Sequence, residues 1–290
     1  PVQLNGPGRR LLRMRWPGSD FCAQRYLVPH MFPYHDENTT QRTPVITIAI
    51  IVANALMWLL VQGAGSAYAL AASVCDLGLI PGEVTGLAEP GTGFEMGDGL
   101  ACLVDAGPQW HTILSSMFLH GSWMHLIGNM WFLWLFGNNI EDSMTRGRFL
   151  VFYLLCGLGA AAAQVLANPA SIVPMVGASG AISGVMGAYL LIFPKVKVWC
   201  IVPLGIIPIR FTLPAWTMLL YWLGMQVLGG SIDLAKEGGG GGVAFWAHVG
   251  GFAAGLILIK LFTKELAYEA HKYSYWEPKD RTRFGQGGRW

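Results

Sequence analysis

Phe149-Leu150-Val151-Phe152-Tyr153-Leu154-Leu155-Cys156-Gly157-Leu158-Gly159-Ala160-Ala161-Ala162-Ala163-Gln164-Val165-Leu166-Ala167 runs for nineteen residues without a charged side chain. At a rise of about 1.5 Å per residue, a helix of that length covers most of a hydrocarbon core of roughly 30 Å. Five more apolar blocks surround it, at residues 45–61, 122–137, 177–193, 213–228 and 243–262, separated by polar or glycine-rich breaks. Lipid-exposed backbone has to satisfy its own hydrogen bonds, and the blocks lack the alternation of roughly ten-residue barrel strands, so they predict helices. The expected fold class is all-α, a polytopic membrane protein of six transmembrane helices.

Composition agrees. Of 290 residues, 53% are apolar and 12% charged, whereas a soluble domain carries about 25% charge. That excludes an ordinary soluble enzyme. A net charge of +2 supplies no field to gather nucleic acid, so the lipid bilayer is the expected partner and nucleic acid is not. The 38 glycines and 12 tryptophans suit closely packed membrane helices with interfacial anchors. The five cysteines show neither a CxxC nor a Cys/His metal spacing, so no zinc site, metal or other cofactor is expected, and no disulfide framework.

The basic residues set an orientation. With residues 1–43 read as a cytoplasmic basic tail, eighteen of the nineteen Lys and Arg fall on the inner side, and only Lys236 lies outside. The first outer loop, residues 63–111, carries Asp76, Glu83, Glu89, Glu95, Asp98 and Asp105 and no Lys or Arg. This is the positive-inside distribution of a six-span chain with both termini cytoplasmic. The division expected is a tail over 1–43, a six-span domain over 44–262 and a cytoplasmic C-terminal tail over 263–290.

Two loops are unusual for connectors. The first outer loop is long and contains apolar pieces, Leu77-Gly78-Leu79-Ile80 and the run from Trp110 to Leu119, which suggest a partly membrane-embedded element. It also holds Cys75 and Cys102. Separation in sequence says nothing of geometry, so two free thiols are the expectation and a disulfide the alternative. The loop before the sixth block contains glycines 238–242, read as a flexible linker or as a mobile lid.

Between their ends the blocks hold no Asp, Glu, Lys or Arg except Lys260, which can snorkel, so an ion-coupled transporter is disfavoured. They do hold His125 and Asn129 in the second block, Ser179 in the fourth and His248 in the sixth. All three blocks run from outside to inside on the charge pattern, so these groups share the outer part of the bilayer. Ser179 lies in Gly177-Ala178-Ser179-Gly180, with Gly184 beyond, which taken alone reads as a small-residue packing face. His248, Gly251 and Gly255 fall on one helix face. Glycines on both helices permit close approach, and a serine nucleophile needs an imidazole within hydrogen-bond reach. His125 and Asn129, four residues apart, present two donors from one face, suited either to an oxyanion hole or to an interhelical clamp. His111 and His120 precede them, but no carboxylate stands at ligand spacing and there is no HExxH, so a metal site is not expected.

Together these motifs resemble the rhomboid family of intramembrane serine proteases. The resemblance covers roughly residues 110–260. It rests on Met117-Phe118-Leu119-His120-Gly121-Ser122-Trp123-Met124-His125 continuing to Asn129, on the GASG around Ser179, and on Ala247-His248 with the glycines that follow. It implies a six-helix rhomboid-like bundle with a membrane-embedded first outer loop and a Ser179/His248 catalytic dyad without a third acid. It further implies an oxyanion hole made by the Ser179 backbone N–H with His125 and Asn129, and a gate and cap formed by the fifth helix and the loop after it. The chain departs from the family where many members have Trp-Arg and it has Trp110-His111. It departs again where some have a tyrosine packed on the catalytic histidine and it has Ser183. The function expected is hydrolysis of transmembrane helices of other membrane proteins near the outer membrane face, with the plasma (inner) membrane of a bacterium as the location. The alternative is a non-catalytic rhomboid-like protein that binds client helices.

Overall fold

The computed structural model describes residues 11–13, 31–97, 99–204, 207–235 and 243–263. Lys236, glycines 238–242 and residues 264–290 lie outside the described residues, and with them the expectations for a lid and a C-terminal tail; so does most of the segment 1–30.

In chain order, β1 (Leu11–Arg13) and β2 (Phe32–Asp36) precede α1 (Val45–Leu56), which continues through a π-type turn at Met57–Val61. The first loop folds into α2 (Ala67–Leu77), α3 (Pro81–Thr85), β3 (Gly93–Gly97), β4 (Leu100–Leu103) and α4 (Thr112–Ser115). Next come α5 (Trp123–Phe132), a second π-type turn at Leu133–Gly137, α6 (Asn138–Asp142), α7 (Arg146–Ala167) and α8 (Ser179–Ile192). The chain then forms β5 (Lys197–Leu204), β6 (Ile207–Pro214), α9 (Ala215–Leu234) and α10 (Phe245–Phe262). Helices thus occupy all six apolar blocks, α9 overrunning its block to Leu234. Among the described residues, α7 and α10 are each long and apolar enough to cross a membrane by length and composition. α8 is shorter, at 14 residues.

The all-α expectation needs correction, because two three-stranded antiparallel sheets are present. In one, β5 lies between β2 and β6. Val196, Val198 and Cys200 are buried while Lys197 between them is exposed, the period-two pattern of a strand with one face on the core. The stretch looks like a connector in sequence because it sits between two helical blocks. In the other sheet, β4 lies between β1 and β3 and packs against α2. Cys75 of α2 and Cys102 of β4 form a disulfide, with Cα atoms 5.4 Å apart, over a small buried cluster with Ala71, Ile80 and Leu100. The expectation of two free thiols is therefore overturned by a helix-on-strand contact that a separation of 27 residues conceals. β1 and β2, both from the segment read as one tail, belong to different sheets at opposite ends of α1.

The core lies among α7, α8 and α10, where Phe149, Phe152, Tyr153, Val185, Tyr189 and Phe252 are buried. Along α8 and α10 the backbones touch directly. A Cβ at Gly251 would collide with the carbonyl oxygen of Gly180, and one at Gly255 with that of Gly184. A Cβ at Gly180 would stand 2.5 Å from that of Ala160 on α7. This seam brings the start of α10 against the start of α8.

Around the C-terminal end of α8 several buried polar groups are paired, although Asn38 Nδ2 is not. Glu141 of α6 accepts from the backbone N–H groups of Ile46 (2.9 Å) and Thr47 (2.8 Å) and from Thr47 Oγ1 (2.8 Å), closing the first turn of α1 with a carboxylate. Arg42 Nε donates to Asp142 at 2.9 Å. Asp36 of β2 accepts from Tyr189 Oη of α8 at 2.5 Å and from Asn139 Nδ2 at 2.9 Å. Burial pushes the Asp36 carboxyl up to about 7 against the lowering effect of these bonds.

At the N-terminal end of α8 the first loop holds the segment that leads into the helix. Leu79 and Met175 exchange backbone hydrogen bonds (3.0 and 2.7 Å), Gly82 N–H donates to Ser171 O at 2.8 Å, and Gly177 N–H donates to Ser116 O at 2.9 Å.

Candidate active site

Five helices converge on one cavity of about 860 Å³, lined by His125 and Asn129 of α5, Gln164 of α7, Ser179 of α8, Trp222 of α9 and His248 of α10. Ser179 opens α8, so its backbone N–H belongs to the first turn, where no intrahelical acceptor exists and the helix dipole is positive. Gly177 two residues earlier has φ +129°, a left-handed conformation suited to glycine. A Cβ there would lie 2.9 Å from His125 Nε2 and 3.4 Å from Ser179 Oγ, so the glycine leaves open the space between these two groups.

His248 sits in the first turn of α10, whose Ala247 N–H donates to Gln164 Oε1 of α7 at 3.2 Å. Its Nε2 is 2.8 Å from Ser179 Oγ. With the hydroxyl donating, Nε2 is the acceptor and Nδ1 carries the hydrogen. Nδ1 lies 2.8 Å from Gln226 Oε1 of α9, which accepts it. The Trp222 ring, one turn earlier on α9, is tilted against the imidazole at a centroid distance of 5.7 Å.

Ser122 caps α5 by accepting from the His125 backbone N–H at 3.1 Å. The Gly121 N–H donates to His125 Nδ1 at 3.2 Å, which leaves the hydrogen on Nε2, the atom facing Gly177. Asn129, one turn later, is buried, and its Nδ2 has no protein acceptor. Such a donor ordinarily costs stability, so an unfilled one lining a cavity marks a place for an incoming oxygen.

All four chemistry-bearing residues singled out in the sequence line this cavity, and Gly180, Gly184, Gly251 and Gly255 form the seam behind it. His111 is elsewhere, exposed and 3.4 Å from Asp76 O. His120 is buried edge-on to His125 at 5.2 Å. Among the described residues no three His, Cys, Asp or Glu side chains are grouped to hold a metal ion. Ser183 donates back to Ser179 O at 2.6 Å and does not reach the imidazole. Sequence reading overlooked Gln226 and Gln164. The signal was present in each case, a lone amide side chain in an otherwise apolar helix.

The Rhomboid domain family model matches residues 107–265, more than half of the chain. Among curated proteins, the rhomboid protease GluP of Bacillus subtilis is 37% identical over 29% of this chain and 16% of its own length. Rhomboid protein 1, mitochondrial, of Saccharomyces cerevisiae is 30% identical over 44% of this chain and 38% of its own. Rhomboid-like protein 11, chloroplastic, of Arabidopsis thaliana is 34% identical over 29% of this chain and 30% of its own. The chain therefore spans less than two-fifths of the length of each of these relatives.

Proposed function

Because this chain belongs to the rhomboid family, whose members are polytopic helical membrane proteins, we propose that it is an intramembrane serine endopeptidase. Its substrates are transmembrane helices of other membrane proteins, cut near the outer membrane face. The observation that carries the reading is the 2.8 Å contact between Ser179 Oγ and His248 Nε2 at a cavity that also presents the unpartnered Asn129 amide.

Ser179 Oγ attacks the scissile carbonyl carbon as its proton passes to His248 Nε2, and the carbonyl π pair moves onto oxygen. The Ser179 N–H, His125 Nε2–H and Asn129 Nδ2–H receive that oxyanion. The imidazolium gives its proton to the leaving amine, and water attacks the acyl-enzyme with His248 again as base. The substrate has to unwind locally, because helical carbonyls are already bonded and shielded.

In the membrane the six apolar helices span as a bundle with the start of α1 and the end of α10 on the cytoplasmic side. α9 acts as the gate, and the first outer loop dips into the bilayer, where the exposed Trp110 and Leu114 meet lipid. The plasma membrane of a bacterium fits the orientation of charge. One pairing opposes the tail assignment, since β1 is hydrogen-bonded to β4 of the outer loop. The inner location is therefore proposed for β2 and the residues that lead into α1, and not for β1.

A fluorophosphonate probe tests the nucleophile on the purified protein. Wild type is labelled and cleaves a model transmembrane substrate; Ser179→Ala is neither labelled nor active, and His248→Ala loses both with no additive effect in the double variant. Cleavage by Ser179→Ala at the wild-type rate refutes the dyad, and a folded wild type that never labels favours a client-binding rhomboid-like protein.

A further inference from the structure

We propose that Gln226 of α9 is the positioning residue for His248, holding the imidazole in the tautomer and orientation that accept the Ser179 proton. This rests on the dyad reading above. The juxtaposition is a line of three side chains from three helices: Ser179 Oγ to His248 Nε2 at 2.8 Å, and His248 Nδ1 to Gln226 Oε1 at 2.8 Å.

The direction of each bond follows from the groups themselves. Gln226 Nε2 donates to the carbonyl oxygen of Trp222, one turn earlier on the same helix, at 3.4 Å. Rotating the amide by half a turn would set Oε1 against that carbonyl, acceptor facing acceptor. The amide oxygen therefore points to the imidazole. An oxygen there can only accept, so Nδ1 keeps its hydrogen and Nε2 is left with the lone pair that the serine proton needs. When Ser179 attacks, the proton moves to Nε2, Nδ1–H stays where it was, and Gln226 neither gains nor loses a proton.

Charge explains the choice of residue. An ionised carboxylate at this depth would be costly to desolvate, whereas a neutral amide fixes the ring without that penalty. Packing explains the place. Ser183 turns its hydroxyl to Ser179 O and leaves the imidazole face to Trp222, so α9 supplies both the ring contact and the hydrogen bond.

Gln226→Leu, of similar volume, removes the acceptor, and Gln226→Glu restores an acceptor oxygen in either protonation state. With a model transmembrane substrate in liposomes, Gln226→Leu is expected to lower kcat by about 10-fold to 10²-fold with KM within about twofold. Gln226→Glu is expected to recover most of the loss. Nitrogen-15 spectra of histidine-labelled protein read the same point without turnover: His248 carries its hydrogen on Nδ1 in wild type and shifts toward Nε2–H in Gln226→Leu. Unchanged kcat and an unchanged tautomer in Gln226→Leu overturn the proposal. So does a loss that follows the folded fraction alone and that Glu does not restore. If Gln226→Leu folds poorly, Gln226→Asn, which keeps the amide but shortens its reach, is read in its place. Should Ser179→Ala remain active, the nucleophile assignment fails on its own, and the spectra still decide the role of Gln226.

Discussion

α8 carries a buried polar cluster at each end, and the two differ in what their groups face: protein partners at one end, an open cavity at the other. At the C-terminal end, Tyr189 Oη donates to Asp36, Asn139 donates to the same carboxyl, and Glu141 fills the first turn of α1, while Asn38 Nδ2 nearby is unpaired. At the N-terminal end, about 15 Å away along the axis, Asn129 Nδ2 is buried without a partner at the cavity, and the Ser179 N–H lies in a helix turn that supplies no acceptor. Paired groups hold the fold, whereas an unpaired donor that lines a cavity is open to an incoming acceptor. Substitutions at the two ends should therefore separate cleanly into effects on stability and effects on rate.

The largest separation is expected at the N-terminal end of α8. Replacing His125 or Asn129 with alanine should lower kcat by roughly 10-fold to 10³-fold and change KM little, because donors aimed at a developing oxyanion act on the transition state. Thermal stability should hold or improve slightly for Asn129→Ala, since an unpaired buried donor is removed. If Asn129→Ala instead unfolds the protein, the residue is an interhelical clamp and the contrast between the ends collapses.

Glu141→Ala should do the reverse. Three donors of α1 lose a buried carboxylate, a loss of about 2 to 4 kcal/mol in stability, while kcat per folded molecule stays at the wild-type value. Denaturation in detergent beside titration of active sites measures both numbers, and a fall in kcat with stability intact would show the ends to be coupled.

The smallest effect concerns Asp36. Its carboxyl stays protonated up to about pH 7 in the folded protein, against 3.8 for the free group. The folded state thus binds more protons than the unfolded state across that window, so stability declines as pH rises from about 4 to 7 and levels off above. Asp36→Asn should flatten this part of the profile of thermal midpoint against pH; an unaltered slope would assign it to another group.

How much of this was legible beforehand depends on the kind of signal. Apolar blocks announce helices because lipid enforces both length and composition, and Ser179, His248, His125 and Asn129 stood out as polar exceptions at comparable depth within them. The strands did not stand out. β5 and β6 carry prolines near their ends and lie between two helices, so their short alternation reads as connection. The Cys75–Cys102 bond was hidden because pairing depends on a helix docking on a strand, which spacing does not encode. Gln226 was visible but mute, since a single amide acquires meaning only when a neighbouring helix places an imidazole within its reach.

The glycine seam between α8 and α10 has a mechanical meaning as well. With Gly251 against the Gly180 carbonyl and Gly255 against that of Gly184, no side chain separates the two main chains to act as bearing or spring. Ser179 and His248, the proposed nucleophile and base, travel as one stiff body, like two teeth cut from the same bar. On the proposed function, any breathing that admits a substrate helix has to occur in the walls facing that bar, α5, α9 and the first loop. An inhibitor that grips the serine should leave the bar undistorted and record its strain in those walls.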